Sequence, residues 1–161
     1  MSCMDTKERL FSRVPELFID LLLLEEFHAS LEFRTWWLAH LKWPRPAKHR
    51  FIDARRSVSE STGESDLIFV VADSAGERHA VMIEDKIDAG AQPRQSARYR
   101  ERGEEGVSRR DWDDFTTCLV ARESYLRAQP DAQGYDQTVS LESIKKWFEK
   151  SDIEPARLCL R

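Results

Sequence analysis

Three carboxylates and one lysine stand at the ends of two neighbouring apolar runs of the sequence. Asp66 precedes the first run, and Glu84, Asp85 and Lys86 follow the second. Carboxylates held a few ångströms apart repel each other unless a cation compensates their charge. Oxygen ligands of this kind suit Mg²⁺, and a nearby lysine can orient a water or stabilise the charge that develops on a phosphate. These residue types therefore predict metal-assisted hydrolysis of a phosphodiester.

The turn between the two runs predicts which residues face each other. The loop Ser74–Gly76, with its glycine in the left-handed conformation, is a common connection in a β-hairpin. Asp73 then faces Glu77, and each step outward pairs residues whose numbers sum to the same value. By this register Asp66 falls opposite Glu84.

The alternation of side chains along a strand predicts how the charged groups are distributed. Glu84 and Lys86 are two residues apart and point to one face, whereas Asp85 points to the other. Asp66, Glu84 and Lys86 should therefore converge, and the backbone carbonyl of Asp85 is a candidate third metal ligand. The side chain of Asp85 is expected to be a surface or helix-capping carboxylate.

The spacing of apolar residues predicts the elements that must position this site. The first predicted helix buries Leu17, Phe18 and Leu21, and Ser30 and Ser140 are predicted to cap later helices. Two nearly continuous apolar strands indicate a sheet that is covered on both faces. The predicted helices span 14–27, 30–42, 92–102, 124–129 and 140–150, and the predicted strands span 49–58, 67–71, 80–83 and 115–120.

The bulk composition limits the class of protein. The chain has 161 residues, a net charge of −4 and three cysteines without metal-ligand spacing. We therefore expect one α+β domain over residues 1–161, with a core at about 14–122 and a C-terminal helical extension at 123–161. We find no secretory signal and no apolar stretch long enough for a membrane span, so a cytoplasmic protein is the expectation.

The hairpin and the helix after it resemble the PD-(D/E)XK nuclease superfamily, whose fold is restriction-endonuclease-like. Ser65–Asp66 stands in the PD position and Glu84–Lys86 in the (D/E)XK position, and 17 residues separate Asp66 from Glu84. Gln95 and Tyr99 are similar to the Q-x-x-x-Y pattern of several branches, and the stretch looks most like uncharacterised bacterial members. The resemblance implies a four-stranded mixed sheet in α-β-β-β-α-β order and Mg²⁺- or Mn²⁺-dependent cleavage of DNA, less often of RNA.

The resemblance also implies roles for the residues. Asp66 and Glu84 would bind the metal together with Asp85, Lys86 would position the water that the metal activates, and Gln95 would assist from the neighbouring helix. Many members carry a further acid on the first helix, for which Glu16 and then Glu26 are the candidates. Tyr99 is either an accessory residue or a buried tyrosine with a bonded hydroxyl. The candidate contacts to nucleic acid are Arg94, Arg98 and Arg102.

Two other interpretations of the sequence stay open. Intramolecular ion pairs explain the arginine-rich stretch about as well as phosphate binding does, because its charges are of mixed sign. The second interpretation is that the protein keeps the nuclease fold but acts as a catalytically silent binding or regulatory module. Its acidic net charge suggests that either function involves a protein partner or a homodimer.

Overall fold

A five-stranded mixed sheet with helices on both faces forms the core of the protein. The computed structural model describes residues 16–41, 48–58, 65–87 and 94–151, apart from the side chains at 58, 65 and 66. The elements are α1 (Glu16–Ala29), α2 (Leu31–His40), β1 (Arg50–Val58), β2 (Ser65–Ala72), β3 (Arg78–Lys86), α3 (Gln95–Ser108), β4 (Asp114–Ala121), α4 (Glu123–Ala128), a 3₁₀ helix (Pro130–Gly134), β5 (Gln137–Ser140) and α5 (Leu141–Lys150). Within these ranges, no helix is long and apolar enough to cross a bilayer.

The strands lie in the sheet in chain order, β1-β2-β3-β4-β5. The first three are antiparallel neighbours, and β3, β4 and β5 are parallel. The prediction of four strands missed β5, and residues 123–161 are therefore not a purely helical extension. This strand has only four residues, of which Val139 and Ser140 are buried, so it carries too little alternation for a sequence pattern to detect.

The predicted register of the β2–β3 hairpin is confirmed. Leu67 pairs with Ile83 and Ala72 with Arg78, so that the numbers of each pair have the same sum. Gly76 has φ +83°, and the Asp73 amide donates to the Glu77 carbonyl at 3.0 Å. The turn therefore fixes the position of every side chain along the hairpin.

Side chains alternate along β3 between two apolar clusters on opposite faces of the sheet. Val81 and Ile83 belong to the cluster that includes residues of α1, α2 and α5. Ala80 and Met82 belong to the cluster that includes residues of α3 and the 3₁₀ helix. The same alternation assigns residues 84 and 86 to the α3 face and residue 85 to the α1 face.

Helix α1 turns a different side to the sheet from the one that the sequence predicts. Leu17, Phe18 and Leu21 are exposed by 46%, 50% and 40%. The prediction counted apolar residues, but two of the positions that face the protein are acidic. The buried residues of α1 are Asp20, Leu23, Glu26 and Phe27.

Helix α3 is longer than the predicted 92–102, because two glycines allow it to pack closely on its neighbours. A Cβ at Gly103 would overlap the Phe115 ring, and one at Gly106 would overlap Trp112. Trp112 is buried and donates from Nε1 to the Gly103 carbonyl at 2.9 Å. Residues 92 and 93 of the predicted helix lie outside the described residues.

Candidate active site

Glu84 is the centre of a buried hydrogen-bonded group at the end of β3. Its side chain is 9% exposed. The Gln95 Nε2 group donates to Glu84 Oε1 at 2.5 Å, and the Tyr99 hydroxyl donates to Oε2. Gln95 and Tyr99 reach the same carboxylate because residues four apart share one face of helix α3. The structure thus brings together three of the residues that the sequence singled out.

Lys86 joins the same group from β3. Its Nζ lies 3.2 Å from Glu84 Oε1, and its side chain is only 5% exposed. Removing an ammonium group from water is costly unless a carboxylate and further polar groups compensate. The predicted convergence of Glu84 and Lys86 on one face is therefore confirmed, and both lie in a largely dehydrated position.

The pKa of Glu84 is raised to about 7. Burial is the largest cause, and the charge of Glu16 adds to it, whereas the Tyr99 hydrogen bond and Lys86 act in the opposite direction. Near neutral pH the metal-free carboxyl group therefore holds a proton about half of the time. A cation that binds the Glu84 carboxylate in place of this proton would offset the free-energy cost of ionising a buried carboxyl group.

Asp85 lies on the other face of the sheet, and its predicted position at the surface is wrong. The residue is 6% exposed, and Oδ2 has no hydrogen-bond partner among the described residues. Its pKa is raised by burial, then by a hydrogen bond with Asp20 and by the charges of Asp20 and Glu84. Asp20 also accepts a hydrogen bond from Arg56 Nε at 3.2 Å.

Asp20 is the site residue that the sequence argument missed. It lies one helical turn after Glu16 and is 3% exposed. The assumption that the buried stripe of α1 is apolar concealed it. The available signal was the position of two acids one turn apart on a helix that packs against the sheet.

Asp66 is described through its backbone only. It belongs to β2 and pairs with Ser57 of β1. The register with β3 is described as far as Leu67 and Ile83, and continuing it by one residue places position 66 across from Glu84. The convergence of the Asp66 and Glu84 carboxylates stays a prediction.

The two candidate acids of the first helix have different positions. Glu16 lies within electrostatic range of Glu84 and Asp85, whose pKa values its charge raises. Its Oε1 atom is buried and has no hydrogen-bond partner among the described residues. Glu26 is also buried, but it lies ten residues later, about 15 Å further along the helix axis. The structure therefore places Glu16, rather than Glu26, near the site.

The candidate arginines lie along α3 beside the site. Arg94 is exposed and has φ +58°. Its guanidinium nitrogen Nη2 lies 3.4 Å from Glu101 Oε1. The guanidinium of Arg102 stacks over the Tyr99 ring at 5.6 Å, and Arg98 is half-buried. Intramolecular contacts thus hold at least two of the three side chains, and phosphate binding by this set stays a prediction.

A second group of potential metal ligands lies at the opposite end of the β2–β3 hairpin. One ligand atom from each of Asp73, Glu77 and His79 lies within 4.8 Å of the others. Asp73 Oδ1 accepts hydrogen bonds from the amides of Ala75 and Glu77 at 2.9 and 3.0 Å. These bonds stabilise the turn, and they account for the position of Asp73 without a metal.

Comparison with known proteins identifies no relative of this chain. No protein-family model matches it, and no similar curated protein or solved structure was found. The chemistry of the site is therefore the only indication of function that the described residues give. The described groups at the end of β3 offer carboxylate and amide oxygens, one ammonium and one phenol, a set that suits a hard cation and a phosphate ester.

Proposed function

We propose that this protein is a Mg²⁺- or Mn²⁺-dependent nuclease of the PD-(D/E)XK type that hydrolyses phosphodiester bonds, with DNA as the preferred substrate. One observation carries the proposal: Glu84 and Lys86 converge with Gln95 and Tyr99 at the end of β3. A buried acid with a raised pKa beside a buried lysine is costly for stability, and such arrangements are concentrated at functional sites.

The oxygen atoms at the site fit a hard divalent cation. Glu84, Asp66 and the Asp85 carbonyl would hold it, and Glu16 is the candidate fourth ligand because its buried Oε1 has no partner in the described part of the chain. The cation would supply a lower pKa for a coordinated water and charge compensation for the phosphate. The proton on Glu84 is the species that the cation would replace.

The side chains around the metal position have separate roles in the proposed reaction. The Lys86 ammonium, held against Glu84, stabilises the negative charge that develops on the phosphate. Gln95 uses its amide nitrogen to fix Glu84, which leaves its buried Oε1, without a described partner, to accept a hydrogen bond from the attacking water. Tyr99 fixes the second carboxylate oxygen of Glu84 and so sets the plane of the carboxylate.

Calorimetric titration of Mn²⁺ tests the proposal, followed by cleavage assays on single-stranded and duplex DNA. The wild type is compared with Glu84→Gln and with Asp73→Asn, a matched change at the other end of the same hairpin. We expect Glu84→Gln to lose Mn²⁺ binding and cleavage and Asp73→Asn to keep both. Undiminished binding by Glu84→Gln, or loss of binding by Asp73→Asn, would contradict the proposal.

An exposed apolar surface favours a second candidate function, that of a catalytically silent binding module. Leu17, Phe18 and Leu21 lie exposed on α1 and form a surface suited to a protein partner or a second copy of the chain. The change Phe18→Glu would abolish such binding, and Lys86→Ala would preserve it. Cleavage that depends on Lys86 would argue against this function as the main one.

A further inference from the structure

The chain that connects β4 to β5 leaves the sheet beside Lys86. Strands β3 and β4 are parallel, and Lys86 pairs with Ala121. Helix α4 begins two residues later, at Glu123. Because the carboxyl ends of parallel strands meet at one edge of a sheet, this connection starts at the edge that carries the candidate active site.

The connection is then packed against the helix that supplies Gln95 and Tyr99. The ring of Tyr135 lies 5.9 Å from the ring of Tyr99 at an angle of 60°. A Cβ added at Gly134 would overlap the side chain of Ser96, the neighbour of Gln95. The 3₁₀ helix therefore has little freedom to move away from the first turn of α3.

Two polar atoms of the connection are buried without a described partner. These are the Tyr125 hydroxyl oxygen and Asp131 Oδ2. Most buried polar atoms in folded proteins form at least one hydrogen bond, so an exception needs an explanation. A ligand that the Tyr125 hydroxyl binds supplies one for that atom.

The charges that act on the two residues show where they lie. Burial raises the pKa of Tyr125, the charges of Asp131 and Glu84 raise it further, and Lys86 lowers it. Burial likewise raises the pKa of Asp131, and Lys86 lowers it. Both side chains therefore lie within electrostatic range of the Lys86 ammonium.

We propose that Tyr125 and Asp131 complete the nuclease site. The Tyr125 hydroxyl donates a hydrogen bond to a non-bridging oxygen of the scissile phosphate. Asp131 is a positioning residue whose charge acts on the Lys86 ammonium, with which Glu84 forms the ion pair at 3.2 Å. The inference rests on the proposed nuclease function and assigns a part of it to the connection after β4.

Steady-state cleavage by Tyr125→Phe and Asp131→Asn tests the two roles. Loss of one hydrogen bond to a charged phosphate should raise KM about tenfold or more for Tyr125→Phe. Asp131→Asn should lower kcat about tenfold at an unchanged KM, and Asp131→Glu should recover part of the rate. Tyr135→Phe and Asp111→Asn are the matched controls, and thermal unfolding of all variants verifies that they fold.

A binding experiment separates this inference from the proposed function. Thymidine 5′-monophosphate is titrated with Mn²⁺ into the wild type and into Tyr125→Phe. Binding that is about tenfold weaker in the variant supports the role of Tyr125, and equal binding, or none by the wild type, overturns it. Absence of cleavage by the wild type would overturn the proposed function and the role of Asp131. Cleavage that neither variant alters would overturn the inference alone.

Discussion

The two ends of the β2–β3 hairpin both carry carboxylates beside a basic side chain, but the pKa values of these carboxylates shift in opposite directions. At the turn, Asp73 accepts hydrogen bonds from two backbone amides, and its pKa is lowered. Desolvation opposes this shift, but the amides of Glu77 and Ala75 and the His79 side chain outweigh it. At the open end, burial raises the pKa values of Glu84 and Asp85.

The difference separates a carboxylate whose position the fold alone explains from carboxyl groups whose burial the fold alone does not explain. The carboxylate at the turn stabilises the fold in its ionised form, so no ligand is needed to explain it. The carboxyl groups at the open end destabilise the fold when they ionise, and they are surrounded by polar side chains in place of apolar ones. Persistent unfavourable electrostatics of this kind are typical of sites that bind a ligand.

The largest expected effect is the loss of cleavage in Lys86→Ala. A cation positioned to stabilise developing phosphate charge contributes roughly 10²–10⁴-fold to the rate, and the variant should lose that much of kcat. Glu77→Gln, at the turn end of the same strand pair, should cleave like the wild type. Equal loss in both variants would show that the hairpin as a whole, and not its open end, supports activity.

The affinity for Mn²⁺ should depend on pH in a way that identifies the end where the ion binds. Below pH 7 the ion must displace the proton of Glu84, whose pKa is about 7. The affinity for Mn²⁺ should therefore decrease about tenfold for each unit by which the pH is lowered. Above pH 7 it should level off. Calorimetry between pH 5.5 and 8.5 measures this dependence, and Glu77→Gln should leave it unchanged. Loss of Mn²⁺ binding in Glu77→Gln would place the ion at the turn.

Amide substitutions should affect stability with opposite signs at the two ends. The folded-state pKa of Asp85 is raised above its ordinary value of 3.8, so the wild type loses stability as pH rises above about 4. Asparagine does not ionise, and metal-free Asp85→Asn should be more stable than the wild type at pH 7, by roughly 1–3 kcal/mol.

Asp73→Asn should be less stable than the wild type at pH 7. The folded-state pKa of Asp73 is lowered, so its contribution is present above the unfolded pKa and disappears as the pH falls through the folded value. The gap between variant and wild type should therefore close at acid pH. Urea unfolding in chelator from pH 3 to 8 measures both variants, and destabilisation of the same sign at both ends at pH 7 would remove the distinction between them.

Local patterns in the sequence were sufficient for the hairpin and for most of the helices. The turn Ser74–Gly76 has one common geometry, and that geometry determined the register and the shared face of Glu84 and Lys86. The helix caps at Ser30 and Ser140 also agree with the structure, in which each side chain accepts from the amide three residues later. Features of this kind depend on residues that are close in the chain.

The features that the sequence did not predict depend on contacts between distant residues. Asp20 is buried because Arg56, 36 residues later, compensates it, and α1 therefore turns its apolar residues Leu17 and Phe18 outward. Trp112 is buried because Gly106 leaves room for its ring. Pairings of this kind have no local pattern in the sequence, and the burial of Asp20 brings it into contact with Asp85.

The smallest expected effect tests whether the turn acts on the site at all. Gly76 has φ +83°, and an added Cβ would meet no atom within 4 Å, so Gly76→Ala carries only the cost of the left-handed conformation. That cost is about 1 kcal/mol, and thermal unfolding should show a decrease of about 2–4 °C. Cleavage and Mn²⁺ affinity should be unchanged, because the register is set by the length of the loop and not by its glycine alone. A loss of metal binding in this variant would mean that the position of Glu84 depends on strain at the turn, and the two ends of the hairpin would then form one functional unit.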